Sequence, residues 1–328
     1  MGYNYFMSDN RPIFVIDGMN MFLRSYSAFP QMSSHGYQMG GTVGFLKSLQ
    51  RLCREFQPTS VYVTWEGGGS QRRRNLYPEY KANRNLGKLN RFYGDDIPDT
   101  TENKQHQLVT LLSALKNVPA CQIYISDCEG DDIIAFLVRG PFRDKDVIVI
   151  SADKDMYQLL GSKVKIYSLH RKKFITDKDL FDEFRIRANN FAIAKCLCGD
   201  DSDNIPGVQG FGFKTVSKKF PMLGSEDTIA LQDIINFAHT QNGTLYKRVV
   251  EEANVIIRNW QLVHLDGSML SCDQMKRTEY TVDTFNPTVN KMGLIKLLLK
   301  EGISDFDYEG FYYDLSCVDG LRFASENQ

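Results

Sequence analysis

The residues of this 328-residue chain whose placement could do chemistry are its carboxylates. From Ile123 to Val138 a short apolar run breaks into Glu129, Asp131 and Asp132 and then resumes an apolar pattern of helical length. That pattern predicts a strand, an acidic turn and a buried helix. Acids that open a helix can serve only to complement its exposed N–H groups and macrodipole. A different use arises if they meet other acids, and an acid follows a predicted strand at three further places. Asp17 follows residues 12–16, Glu66 follows 60–65, and Asp153 with Asp155 follows 146–150; Asp200 and Asp203 add two more acids further on. Two unit charges at 4 Å repel by about 1 kcal/mol in water and several times that near a protein surface. Divalent cations relieve such crowding, and Mg²⁺, held by a few carboxylates, waters and phosphate oxygens, is the natural choice.

The elements that must bring these acids together follow from the alternation of apolar strand patterns with helical ones. Helices are expected from about Met21, from Gly40 to Pro58 (Val43, Leu46, Leu49, Leu52 and Cys53 forming one buried face), from Glu102 to Leu115 and after Glu129. Strands alternating with helices give a mostly parallel α/β sheet. Its carboxyl ends lie along one edge, so Asp17, Glu66, the 129–132 group and the 153/155 pair are expected to share one crevice, with Lys154 the lone interspersed base.

Composition narrows the chemistry. The five His are scattered and the seven Cys have no zinc-ligand spacing, which leaves softer metals without an evident site and predicts reduced thiols. No apolar run has the length of a membrane span and residues 1–10 lack signal-peptide features, so a flexible tail and a soluble, cytoplasmic protein are expected. The net charge of −1 hides an uneven distribution: between Gln71 and Arg91 stand seven Lys/Arg, including Arg72, Arg73, Arg74, Lys81 and Arg84, against one acid, Glu79. If this segment is helical, Lys81 and Arg84 share a face.

Residues 176–198 read as largely helical, and Gly207, Gly210 and Gly212 then precede a helix starting near Lys214 and Thr215. Such a turn either presents backbone N–H groups to phosphate or is an ordinary tight turn. Beyond Pro221 the pattern is mainly helical (228–238, 246–260, 290–300), with a β-like run at 261–265 and no active-site signature.

With these residues in view, the chain resembles the 5′-nuclease family: bacteriophage flap endonucleases and 5′→3′ exonucleases, and the nuclease domain of bacterial DNA polymerase I. The matching segments are Val-Ile-Asp17-Gly, Leu-Tyr-Pro-Glu-Tyr-Lys81-Ala-Asn-Arg84, Glu129-Gly-Asp131-Asp132-Ile-Ile, Ser-Ala-Asp153-Lys-Asp155 and the run from Gly199 through Asp200, Asp203, Gly207, Gly210 and Gly212 to Lys214-Thr215. The resemblance implies an α/β fold of the PIN-like 5′-nuclease type, with a helical arch and a helical C-terminal region carrying a helix-hairpin-helix-type DNA-binding motif. The expected division is a tail at 1–10, a core at 11–175 with the arch at about 71–104, and a helical region at 176–328 with the hairpin at about 199–215.

The resemblance further implies two Mg²⁺, for which Mn²⁺ can substitute. Asp17, Glu129, Asp131 and Asp132 would support one ion, and Asp153, Asp155, Asp200 and Asp203 the other. Asp17, Asp132, Asp153, Asp155, Lys81 and Arg84 are the expected catalytic set. Arg72, Arg73, Arg74, Lys81, Arg84, Gly207, Gly210, Gly212, Lys214 and Thr215 would meet DNA, with K⁺ at the hairpin. Glu66, where the family usually has Asp, would reach a metal directly or through water, and Asp201 would face solvent. Implied partners are branched, flapped or nicked DNA, an RNA–DNA hybrid, and replication proteins; the protein would act as a monomer in a phage-infected bacterial cell. Two other readings remain open at this point: a metal-dependent ribonuclease, and a catalytically silent DNA-junction binder.

Overall fold

The computed structural model describes residues 11–83 and 100–323. The expected tail at 1–10, Arg84 and most of the expected arch lie outside the described residues.

The apolar runs form a six-stranded sheet: β1 (Ile13–Asp17), β2 (Ser60–Trp65), β3 (Cys121–Tyr124), β4 (Val147–Ile150), β5 (Val164–Ser168) and β6 (Lys173–Ile175). Its spatial order is β3-β2-β1-β4-β5-β6, parallel throughout except for the antiparallel pair β5–β6. β1 reads as an unbroken apolar run because both of its faces are covered. Val15 packs into one core cluster and Phe14 and Ile16 into the other, all with no exposed surface. Burying a side chain of this size fully is worth roughly 1.5–3 kcal/mol, so a one-residue slip of β1, which would exchange its faces, is strongly disfavoured.

Helices cover both faces. On one lie α1 (Gly18–Ala28), α2 (Gly40–Phe56) and α4 (Thr101–Leu115); the short α3 (Gln71–Leu76) lies on the side of the other cluster, where its Arg73 reaches Asp132 and Leu262. On the other lies α5 (Gly130–Arg139), followed by α6 (Asp177–Phe184) and α7 (Phe191–Cys198). The remaining helices are α8 (Phe213–Lys219), α9 (Leu231–Thr240), α10 (Thr244–Glu251), α11 (Ala253–Val263), α12 (Cys272–Thr284), α13 (Lys291–Lys300) and α14 (Tyr308–Leu315). No helix among the described residues is long and apolar enough to cross a membrane.

One local expectation fails, and one condition set by the sequence is not met. Of the β-like run at 261–265, residues 261–263 are the end of α11, because Leu262 and Val263 complete a helical face begun at Ile256 and Asn259, and only His264 and Leu265 lie beyond it. Lys81 is in a turn and not on a helix; its backbone has φ of 57°, and its N–H donates to the Asp203 carbonyl at 2.9 Å.

Chain order reverses between β1 and β4, where the strands run first to one side of β1 and then to the other. This switch point opens a crevice at the carboxyl ends of the strands, the usual ligand position in open α/β sheets. Register places Ile16 beside Ile150, so Asp17 and Ser151 emerge together. Gly18 must follow Asp17 because a Cβ there would lie 2.7 Å from the Thr64 carbonyl oxygen and 2.6 Å from the Trp65 ring. Gly18→Ala is therefore expected to destabilise the protein by about 1–3 kcal/mol, read as a lowered urea midpoint with unchanged slope; a midpoint within error of the parent would contradict the packing.

Candidate active site

Asp17 caps α1: one carboxylate oxygen accepts the Asn20 N–H at 3.0 Å and the other accepts the Ser151 hydroxyl at 3.0 Å. The Ser151 oxygen in turn accepts the Asp153 N–H at 3.1 Å, and Asp153 accepts the Asp155 N–H at 2.9 Å, which turns the chain leaving β4 into a 3-10 turn. From the other side of the switch point, Glu129 stands at the N-cap of α5 without making a capping bond. One of its oxygens accepts from Lys81 Nζ at 2.5 Å and from the Tyr80 hydroxyl at 3.0 Å. Its other oxygen, Oε1, is buried with no hydrogen-bond partner among the described residues.

The loop after α7 closes the rim. Gly199–Asp200 and Ile205–Pro206 pair as a small hairpin (β7 and β8), and the Asp200 carboxylate accepts from Lys195 Nζ at 2.6 Å. Lys195 also bonds the Asp155 carboxylate, so one ammonium, 6% exposed, bridges two acids. Asp155, Asp200 and Asp203 each bring a carboxylate oxygen within 4.8 Å of the others. Lys81 Nζ lies 3.9 Å from both Glu66 and Asp203, and Tyr80 donates to Asp203 at 3.3 Å.

The charge of this rim is not neutralised by its bases alone. Burial, opposed by the Asn20 and Ser151 hydrogen bonds and reinforced by Asp153 and Glu66, pushes the Asp17 carboxyl up to about 6. Burial outweighs the Lys195 ammonium at Asp155, pushing it up to about 7, and burial beside Asp153 and Asp17 raises Asp131 well above the usual range. Glu129 and Asp200 lose charge stabilisation to burial but regain more from Lys81 and Lys195 respectively, and both sit below their ordinary values. An all-oxygen donor set with unpaired charge and one orphaned buried oxygen suits a hard divalent cation.

Of the residues expected from sequence, Asp17, Glu66, Glu129, Asp131, Asp153, Asp155, Asp200, Asp203 and Lys81 are drawn into this one region by direct bonds or electrostatic contact. Arg73 is a correction. It was expected to meet DNA, yet its side chain is 2% exposed, donates bidentately to Asp132 and gives its Nε–H to the Leu262 carbonyl at 2.9 Å. A guanidinium so enclosed presents nothing to a phosphate. Arg72 and Arg74 point outward, Arg72 donating to the Ser268 carbonyl at 2.8 Å. Gly207 has a packing reason for being glycine, since a Cβ would meet the Cys198 carbonyl at 2.2 Å. Gly210 needs its φ of 91°, whereas Gly212, Lys214 and Thr215 open α8, where a Cβ on Gly212 would meet nothing. Asp201 is exposed.

Lys195 was missed, and the expectation that Lys154 alone accompanies the acids fails with it. Lys195 lies inside the apolar run of α7; a lysine in an otherwise buried helical face is the signal that could have found it.

Comparison with known proteins decides the lineage. The family model described as the 5′-3′ exonuclease, N-terminal resolvase-like domain matches residues 12–185. The chain belongs to the 5′-3′ exonuclease family. The 5′-3′ exonuclease of Bacillus subtilis is 30% identical over 219 residues, covering 64% of this chain and 70% of that protein. DNA polymerase I of Thermus aquaticus is 26% identical over 275 residues, 83% of this chain but 29% of the polymerase, so the chain spans less than a third of that relative. Among solved structures, the bacteriophage T5 5′-exonuclease with divalent zinc ions bound superposes with a TM-score of 0.69 at 23% identity, over 83% of this chain and 99% of that one. The T5 flap endonuclease in a complex with DNA and metal ions gives the same TM-score at 22% identity, over 83% and 98%. The 5′-nuclease fold, with its mostly parallel sheet between helices, is thus shared, and within this exonuclease family the acidic rim is the feature that could hold metal.

The raised carboxyls carry a stability consequence for the metal-free protein. An acid whose folded pKa exceeds its unfolded value near 4 stabilises the fold when protonated, and that contribution is lost as pH rises through the folded value. Asp17 and Asp155 therefore make the metal-free protein lose stability between about pH 4 and 7. Saturating Mg²⁺ or Mn²⁺ is expected to raise the melting temperature more at pH 8 than at pH 5; an equal or smaller rise at pH 8 would contradict the electrostatic assignment.

Proposed function

We propose that this chain is a structure-specific 5′ nuclease that hydrolyses DNA phosphodiester bonds at flaps, nicks and frayed ends, using two divalent ions, with Mg²⁺ as the working metal and Mn²⁺ able to replace it. The observation that carries the reading is a carboxylate rim at the switch point of a 5′-3′ exonuclease family fold, faced by the ammonium of Lys81, which already spans Glu129, Glu66 and Asp203. Asp17, Glu66, Glu129 and Asp131 would hold one ion, and Asp153, Asp155, Asp200 and Asp203 the other. Bound there, the ions would polarise the phosphoryl group and acidify a water enough for attack at neutral pH.

The chain's own residues supply the rest. Lys81 is pinned by its backbone to Asp203, and Asn83 and Asn204 bond side chain to side chain at 3.2 Å, so the ammonium is delivered to the rim from a fixed turn. A scissile phosphate would share that ammonium with Glu129 and be oriented by it, with Arg84 acting beside it. Water oxygen would join phosphorus as the bond to the 3′ oxygen breaks, leaving a 5′-phosphate and a 3′-hydroxyl. Reaching a bond inside a duplex requires the terminal nucleotides to unstack, which frayed or flapped ends permit at little cost.

In this reading the core at 11–175 cuts, the segment 71–104 guides the single strand, and the hairpin at 199–215 holds duplex phosphates through Gly210, Gly212, Lys214 and Thr215, with K⁺ as a candidate ion there. The hairpin is braced from behind: Asn259 donates to the carbonyls of Cys196 and Pro206 at 3.0 and 2.8 Å, and Arg248 donates to the Gln209 carbonyl at 2.9 Å. A rigid hairpin suits recognition of a duplex by its backbone, which carries position but no sequence.

The double variant Asp153→Asn/Asp155→Asn should retain flap binding and lose turnover by about 10²–10³-fold or more; parental turnover in Mg²⁺ would sink the assignment. Flap affinity should fall linearly on a log–log plot against salt, by roughly 0.9 per phosphate contacted. Lys214→Ala should reduce that slope, and a slope near zero in the parent would overturn the electrostatic account. DNA and RNA flaps of equal length, cut side by side, separate this reading from a ribonuclease.

A further inference from the structure

The two adjacent acids that open α5 do different things. Consecutive residues on a helix point about 100° apart, so Asp131 and Asp132 cannot face the same way. Asp131 feels Asp153, Asp17, Lys81 and Glu129, the members of the rim. Asp132 points to the side, into the space between α5, α3 and α11; its side chain is 1% exposed, and both of its oxygens are taken by the guanidinium of Arg73, one at 2.8 Å from Nη2. The third donor of Arg73 goes to the last turn of α11, at the Leu262 carbonyl. One side chain thereby joins three segments far apart in sequence.

We infer that Asp132 is not a ligand of the metal pair but the buried partner of Arg73, and that this pair is a positioning device that fixes the foot of the basic segment, α3, against the helix that carries Glu129 and Asp131. The inference deepens the nuclease reading and rests on it. Neighbouring contacts point the same way. Asp127, in the turn before α5 with φ of 60°, accepts the Gln71 N–H at 2.8 Å, and Arg72 holds the Ser268 carbonyl. Arg73, next in the chain after these two ties, adds an ionic one, and eight residues further on the chain must deliver Lys81 to Glu129. Loss of either charge leaves the other buried without a partner, whereas an apolar pair of similar volume removes both penalties at once.

Two measurements test this. The first is Mn²⁺ affinity by calorimetry for Asp131→Asn and Asp132→Asn, since Asn keeps the shape and an acceptor for Arg73. Asp131→Asn is expected to weaken binding by about tenfold or more, and Asp132→Asn to stay within about threefold of the parent, because affinity for a hard cation follows the charge of its ligands. A tenfold loss in a folded Asp132→Asn would overturn the inference. The second is flap cleavage by Arg73→Met, Asp132→Leu and their combination. Each single variant should lose about 10²-fold in kcat, the scale of a misplacement near 1 Å, and the combination should recover at least tenfold of that loss with the KM for Mg²⁺ unchanged. A folded combination as slow as the single variants overturns the positioning role. Full activity in Asp131→Asn would instead count against the nuclease assignment and leave the Arg73–Asp132 pair untouched.

Discussion

Like charge concentrated at one edge of a sheet is the constraint on which this structure turns. A parallel sheet with a switch point makes the concentration unavoidable: acids written after β1, β2 and β4, and before α5, all emerge at the same rim. The chain answers in two ways. Lys81 and Lys195 neutralise part of the charge, each spanning more than one carboxylate. The remainder is left unrelieved by the described residues, as the upward displacement of Asp17, Asp131 and Asp155 and the Oε1 of Glu129, without a partner among them, record. A fully neutralised rim would fold more easily and bind cations poorly.

The division between relieved and unrelieved acids follows the balance between burial and what the two lysines return. Glu129 and Asp200 each hold a lysine and fall below their usual range. Asp155 also holds one, yet is pushed up, because burial and Asp153 together exceed what a shared ammonium returns. A proton or a metal ion can supply the missing charge, and the proton's share falls as pH rises past about 7 at Asp155. The same argument explains why these two lysines differ from Arg72 and Arg74. Those lie at the surface, outside the acidic rim, whereas Lys81 and Lys195 are bonded to its carboxylates.

Much of this was legible in the sequence because it depends on local order. The acid after an apolar run, as at Val-Ile-Asp17-Gly and Ile-Ser-Ala-Asp153, announces itself through period and punctuation, and the sheet then converts sequence pattern into proximity. Long-range partners were not legible. Nothing in the neighbourhood of Arg73 distinguishes it from Arg72 and Arg74; burial against Asp132 and Leu262 is set by how α3 and α11 meet across about two hundred residues of chain. Lys195 was hidden for the opposite reason, since a helical apolar pattern invites one to pass over its single polar member. The turn at Lys81 escaped because its left-handed backbone is held by Asp203, an anchor remote in sequence.

That anchor ties two demands together. Lys81 must reach the rim, and Asp203 must stay within 4.8 Å of Asp155 and Asp200 for the three carboxylates to act as one site. The hydrogen bond from the Lys81 N–H to the Asp203 carbonyl, with Asn204 donating to the Glu79 carbonyl at 2.7 Å, makes these one event. The base of the basic segment and the loop after α7 therefore assemble each other, while Tyr80 bonds Glu129 and Asp203 together from beneath. The side chains of Asp203 and Lys81 are in this way set by one shared piece of backbone, so that a displacement of either is a displacement of both.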